Sequence, residues 1–137
     1  MKEIADYKLS LELRIDWSDL DMYQHVNNIT FMRFLQSGRV NFWESTGIHE
    51  FYQKTNKGTM LVSTNCDFKR PLHYPGVARV LTKLDKVGNS SFSLSHLIMN
   101  NEDQICAEGL DTVVCYDFDK NCTFPVPVWL RENISQY

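Results

Sequence analysis

Leu9, Leu11, Leu13, Ile15 and Trp17 alternate with Lys8, Ser10, Glu12, Arg14 and Asp16. A period of two predicts a strand with one buried face. The alternation stops at Ser18–Asn28, a polar segment dense in Asp and Asn. Beyond it Phe31, Phe34, Leu35, Gly38 and Phe42 recur at intervals of three and four, with Arg33, Gln36, Asn41 and Glu44 opposite. That spacing predicts a helix, capped by Asn27 or Asn28 and stopped near Gly47. Met32, Val40 and Trp43 widen its apolar surface, so a sheet is expected to enclose much of its circumference.

Strand patterns fill the second half. A polar connection (49–57) leads to Met60, Val62, Thr64, Cys66 and Phe68 on one face of a strand ending at Pro71. Tyr74-Pro75-Gly76 signals a turn. Val77–Val87, Ser90–Met99 and Ile105–Tyr116 then follow with turns at Gly88-Asn89 and Asn100–Asp103, an antiparallel meander. Ser90–Ser95 is too rich in serine for an obvious core strand and is expected at an edge, or as a wall beside a ligand or partner. Asp119–Asn121 reads as one more turn, and Pro125, Pro127 and Trp129 as an irregular tail. One long helix and about five strands make an α+β domain, with the helix against one face of the sheet.

Composition narrows the class. The 137 residues fit one domain, 1–137, and a hydrophobic content of 43% is globular. A net charge of −3 provides no general attraction for nucleic acid or anionic lipid, so a phosphate-bearing ligand needs a local basic patch. The polar start of the chain does not resemble a signal peptide, and no stretch has the length of a membrane span. Cys66, Cys106, Cys115 and Cys122 lack C-x-x-C spacing and read as reduced, packed thiols. These features together point to the cytoplasm.

The chemistry concentrates in Asp19-Leu20-Asp21-Met22-Tyr23-Gln24-His25-Val26-Asn27-Asn28, between a strand and a helix N-terminus. Unpaired N–H groups and a partial positive charge at a helix start suit an anion, such as the oxyanion formed in acyl transfer. A thiolate leaves easily, so one carboxylate acting as base or nucleophile beside such an oxyanion site is adequate for a thioester. Asp and Asn before a helix are more often turn formers and caps, the role favoured for Asp19 and Asn27, while Asp21 stays open on these grounds. No further ligand cluster completes a metal shell around Asp19, Asp21 and His25, so neither metal nor cofactor is expected. His73 and His96 read as surface or packed residues. The G-x-S-x-G, P-loop and dinucleotide fingerprints are absent, and His49-Glu50 lacks the second His of a zincin, since Gln53 stands there.

Trp17-Ser18-Asp19-Leu20-Asp21, His25-Val26-Asn27-Asn28, Phe31, Phe34 and Arg39 resemble the 4-hydroxybenzoyl-CoA thioesterase family, particularly its acyl-CoA and acyl-ACP thioesterases. Asp67-Phe68-Lys69-Arg70-Pro71-Leu72, Gly88-Asn89-Ser90-Ser91 and Pro125-Val126-Pro127 follow in family order. The resemblance implies a hotdog fold, a sheet wrapped around a central helix. It also implies a homodimer or homotetramer with sites at the subunit interface. Carried over, Asp21 is the catalytic carboxylate, the backbone near Asn28 the oxyanion donor, and His25 and Asn28 polar partners. Asn27, Lys69, Arg70, Ser90 and Ser91 become candidate substrate contacts, with Arg79, Lys83 and Lys86 as further basic candidates. Tyr23 stands where plant acyl-ACP thioesterases place an Asn of their D-x-N-x-H-V-N-N string, so their scheme does not transfer whole. Two alternatives share the fold: a dehydratase, which would carry a different His/Asp arrangement, and a non-catalytic acyl-thioester-binding module.

Overall fold

A computed structural model describes residues 3–137. Strand β1 (Leu9–Arg14) leads through a single 3-10 turn to helix α1 (Asn28–Thr46) and a short helix α2 (Ile48–Thr55). Four strands follow: β2 (Lys57–Phe68), β3 (Val77–Val87), β4 (Ser91–Met99) and β5 (Ile105–Asp117). A two-residue β6 (Cys122–Thr123) and helix α3 (Val128–Ile134) complete the chain. The sheet is antiparallel, ordered β1-β3-β4-β5-β2, with β6 paired to β5. Among the described residues no helix is long and apolar enough to cross a membrane.

Helix α1 forms where its spacing predicts. Asn27 caps it by accepting from the Thr30 N–H at 2.9 Å, and Gly47 ends it with φ +86°, a left-handed value that glycine adopts without strain. Phe31, Phe34, Leu35, Gly38 and Phe42 are all buried, and the helix lies chiefly over β3, with β1 and β4 beside it. The opposite side is less enclosed than expected, since Ile29 and Val40 remain exposed.

Four local expectations change. The connection after Gly47 is α2, because Ile48, Phe51, Tyr52 and Thr55 keep helical spacing among polar residues that mask it, and Glu50 pairs with Lys54 at 2.8 Å. The tail becomes α3, which buries Leu130 and Ile134 and starts after Pro127. Trp17 leaves the strand for the 3-10 turn Trp17–Asp19 and is exposed. Ser91–Ser95 belongs to β4, which lies mid-sheet between β3 and β5 rather than at an edge. Its buried hydroxyls are satisfied there: Ser95 meets the Tyr7 hydroxyl at 2.8 Å and Ser93 donates to Asp85 at 3.0 Å.

A polar row crosses the sheet beneath α1. The fully buried Asp111 of β5 faces His96 Nε2 at 2.8 Å, and His96 Nδ1 meets the Thr82 hydroxyl of β3 at 2.8 Å. Asp111 also accepts from Arg39 of α1 at 2.9 Å and from Thr64 of β2 at 2.6 Å. Burial pushes the Asp111 carboxyl up, but the His96 hydrogen bond and charge, Thr64 and Arg39 outweigh it and hold the group below its ordinary value of 3.8. Gly38 lets the helix down onto this row; a Cβ there would sit 2.7 Å from Val80 Cγ1 and 3.1 Å from Thr82 Oγ1.

Removing one partner from a buried charge cluster typically costs about 3 kcal/mol or more, so Asp111→Asn should lower the urea midpoint accordingly. The folded value of this carboxyl lies below the unfolded one. Its contribution is therefore present above an unfolded value near 3.8 and lost as pH falls through the folded value. The mutant should accordingly show a weaker acid limb in its stability profile; an unchanged midpoint and limb would mean the row contributes nothing. Gly38→Ala should destabilise by about 1–3 kcal/mol on chemical denaturation, because overpacking against a stiff, buried valine outweighs the roughly 1 kcal/mol gained in helix propensity.

Candidate active site

The loop between β1 and α1 is built from short-range hydrogen bonds. Asp16 caps the 3-10 turn, accepting from the Ser18 N–H, while the Asp16 N–H donates back to Asp19 at 2.8 Å. Leu20 and Val26 form an isolated bridge, and the Asp21 N–H donates to the His25 carbonyl at 2.9 Å. A turn from Asp21 to Gln24 closes the tip, with Gln24 at φ +64°. The Val26 N–H then donates to the Leu72 carbonyl, docking the loop on the segment that follows β2.

This docking brings two distant stretches together. Asp21, His25, Val26, Asn28 and Phe31 line a cavity of about 360 Å³ with Phe68, Lys69, Arg70 and Pro71. The Asp21 carboxylate is exposed there and accepts one bond, from the Tyr23 N–H at 2.9 Å. The N–H groups of Asn28 and Ile29, at the start of α1, have no acceptor among the described residues. Such free donors at a helix start carry the positive end of its dipole.

The other members of the cavity are positioned by the sheet edge. Phe31 and Phe68 meet edge to face at 5.2 Å between centroids, joining α1 to the end of β2. The backbone N–H groups of Lys69 and Arg70 both donate to the Cys106 carbonyl, and the Arg70 guanidinium donates to the Ile105 carbonyl at 3.0 Å. His25 packs edge to face on His73, with centroids 4.9 Å apart.

Of the residues singled out in the sequence, Asp21, His25, Asn28, Lys69 and Arg70 thus converge on one cavity. Asn27 is adjacent but occupied as cap and brace: its Nδ2 and its backbone N–H both donate to the Asp19 carbonyl at 2.9 Å. Ser90 and Ser91 stand at the β3–β4 turn, where Ser91 pairs with Val114, whereas Phe68 pairs with Ala107 and Ala107 with Ile98. The length of β4, roughly 25 Å, separates them from the cavity of the same chain. Arg79 is paired with Asp103 at 2.8 Å, Lys83 lies over the Tyr7 ring, and Lys86 is exposed. Sequence reasoning did not foresee His73 as a neighbour of His25; only the docking of the two segments reveals it.

A thioesterase-like superfamily model matches residues 15–134, nearly the whole chain. The chain belongs to the thioesterase-like superfamily. It is 26% identical over 129 residues to the long-chain acyl-CoA thioesterase FadM of Escherichia coli, covering 93% of this chain and 98% of that one. The crystal structure of YbaW from Escherichia coli superimposes with a TM-score of 0.80 at 26% identity, over 93% of this chain and 96% of the other. A 1,4-dihydroxy-2-naphthoyl-CoA thioesterase from Synechocystis shares the fold, with a TM-score of 0.80, 18% identity and coverage of 92% and 94%. The hotdog arrangement expected from the loop motif is the one observed: a curled antiparallel sheet with a long helix against it.

Proposed function

We propose that this superfamily member hydrolyses acyl thioesters at the cavity beside the start of α1. One observation carries the reading: an exposed carboxylate, Asp21, shares a cavity with Asn28, and the first two N–H groups of α1 stand without acceptors. A thioester carbonyl seated there would direct its oxygen at the Asn28 and Ile29 N–H groups. Asp21 then draws a proton from water as the water attacks, or attacks the carbonyl carbon itself and forms an acyl-aspartyl anhydride, which water cleaves to the free acid after the thiolate has left. Charge gathers on the carbonyl oxygen, where an aimed backbone donor is worth about 3 kcal/mol in the transition state. The intermediate collapses by breaking the C–S bond, and a thiol with a pKa near ~8.5 departs as thiolate without needing an acid. His25 and Asn28 orient the acyl group or the water.

Acyl-CoA is the favoured substrate, and acyl carrier protein uses the same pantetheine thiol. Lys69 and Arg70 are the chain's own cations on the cavity and suit the phosphates of either carrier. The edge of the sheet supports a homodimer or homotetramer. Strand β2 ends the strand order and runs for 12 residues, with Met60, Leu61 and Val62 exposed in its first half. A long unpaired edge with an exposed apolar stretch calls for a partner strand, and a second copy would place the two sheets side by side. Ser90 and Ser91, remote from their own cavity, would then serve the neighbour's. Cytoplasmic residence accords with four cysteines that are all free thiols.

Thiol release from a panel of acyl-CoAs of graded length tests the reading. The native chain should turn over members of the panel, and Asp21→Asn should lose about 10²–10⁴-fold in kcat with unchanged thermal unfolding. Equal activity in both proteins, or binding with no thiol released from any CoA or carrier-protein thioester, would sink it. Sedimentation should give a dimer or tetramer; an active monomer would contradict the shared edge.

A further inference from the structure

The loop holds three carboxylates with different surroundings. Asp16 and Asp21 are exposed, whereas Asp19 is buried, with 7% of its surface accessible. Both of its side-chain oxygens are engaged. Oδ2 accepts from the Asp16 N–H at 2.8 Å, and Oδ1 from Arg33 Nη2 at 2.9 Å, with the Thr30 hydroxyl at 3.5 Å. Its carbonyl takes two further bonds from Asn27. One residue therefore ties the end of β1, the loop and the first two turns of α1 together.

Asp21 has no comparable support. Its carboxylate accepts only the Tyr23 N–H, and the tip beyond it contains the left-handed Gln24. Its place relative to the Asn28 and Ile29 N–H groups is inherited from the base of the loop, where Asp19 sits two residues earlier. Arg33 faces the carboxylate from the second turn of α1; half of its side chain is exposed, and among the described residues Asp19 is its hydrogen-bonded partner.

We propose that Asp19 is a positioning residue, fixing Asp21 against the start of α1, and that Arg33 acts on the reaction only through Asp19. The inference rests on Asp21 being the reacting carboxylate. An amide cannot replace the Asp19 carboxylate. Asn has one acceptor oxygen for the two donors from Asp16 and Arg33, and its NH2 group would face whichever donor is left. The loop base would loosen while the sheet and the apolar core stayed as they are. A displacement near 1 Å at a reacting group costs on the order of 10²-fold in rate. Lys69 and Arg70 hang from Cys106 and Ile105 instead, so these two cations are not held through Asp19.

The test compares Asp19→Asn, Arg33→Gln, Arg33→Lys and the double variant Asp19→Asn/Arg33→Gln, with Asp21→Asn alongside. The substrate is the acyl-CoA of the panel that the native enzyme turns over fastest, and amide hydrogen exchange is followed in parallel. Asp19→Asn should lower kcat about 10–100-fold with KM within about threefold. Exchange should speed up at residues 20–26 and stay slow in β3, β4 and β5. Arg33→Gln should produce the same pattern more weakly, Arg33→Lys should recover most of it, and the double variant should be no slower than Asp19→Asn. Native kcat in Asp19→Asn, unaltered exchange in the loop, or additive losses in the double variant would overturn the proposal. Should Asp19→Asn fail to fold, Arg33→Gln decides alone, native kcat counting against. An inactive Asp21→Asn beside a fully active Asp19→Asn would remove this inference and leave the thioesterase reading intact. An active Asp21→Asn would remove that reading first.

Discussion

Asp111 is a carboxylate in the middle of a sheet with no water to solvate it, and the rest of the architecture is arranged to answer it. The answering groups come from every neighbouring layer: His96 and through it Thr82 from the sheet interior, Thr64 from the edge strand, Arg39 from the helix. A buried ion cluster of this kind adds little net stability over apolar packing, because desolvation offsets the attraction. It does discriminate between arrangements. Only one rotation and one axial position of α1 bring Arg39 to Asp111 while Gly38 rests on Val80 and Thr82. We read the row as the feature that selects the helix position from among other greasy packings.

Fixing α1 fixes its N-terminus, beside which the candidate site lies. The first turn offers two free N–H groups, and Asn27 supplies the cap while also bracing the preceding loop. The Phe31–Phe68 contact and the Val26–Leu72 hydrogen bond bring the end of β2 to the same place. The cavity is therefore a junction of three chain segments, with a rigid helix and sheet behind a loop that holds the exposed carboxylate. Placing Asp21 on a loop leaves it accessible, and placing its anchors in buried positions keeps that loop ordered.

The edge opposite β1 follows a different logic. β2 is long and ends the strand order, with Met60, Leu61, Val62 and Phe68 exposed among the equally exposed Ser63, Thr64, Asn65 and Asp67, while Ser90 and Ser91 lie at the end of β4 far from the cavity. Among the described residues, the cations that line the cavity are Lys69 and Arg70.

Periodicity determined β1 and α1, where the buried face repeats in two or in three to four residues, whereas the meander was legible from its turns, since β4 is buried on both faces. The family resemblance of the loop motif pointed to Asp21, His25 and Asn28, which chain chemistry alone left open, and all three line the one cavity. Tertiary structure decided the remainder. α2 and α3 take their helicity from burial of a few apolar residues, Ile48 or Leu130 and Ile134, amid polar neighbours that blur the pattern. Ser93 and Ser95 look like edge residues until Asp85 and Tyr7 satisfy them mid-sheet. Asp19 reads as an ordinary turn former, and His96 and Asp111 as unremarkable strand residues, because each owes its role to groups between 14 and 72 positions away. A hydrogen bond between residues so far apart leaves no mark on local spacing, and only the folded chain makes it.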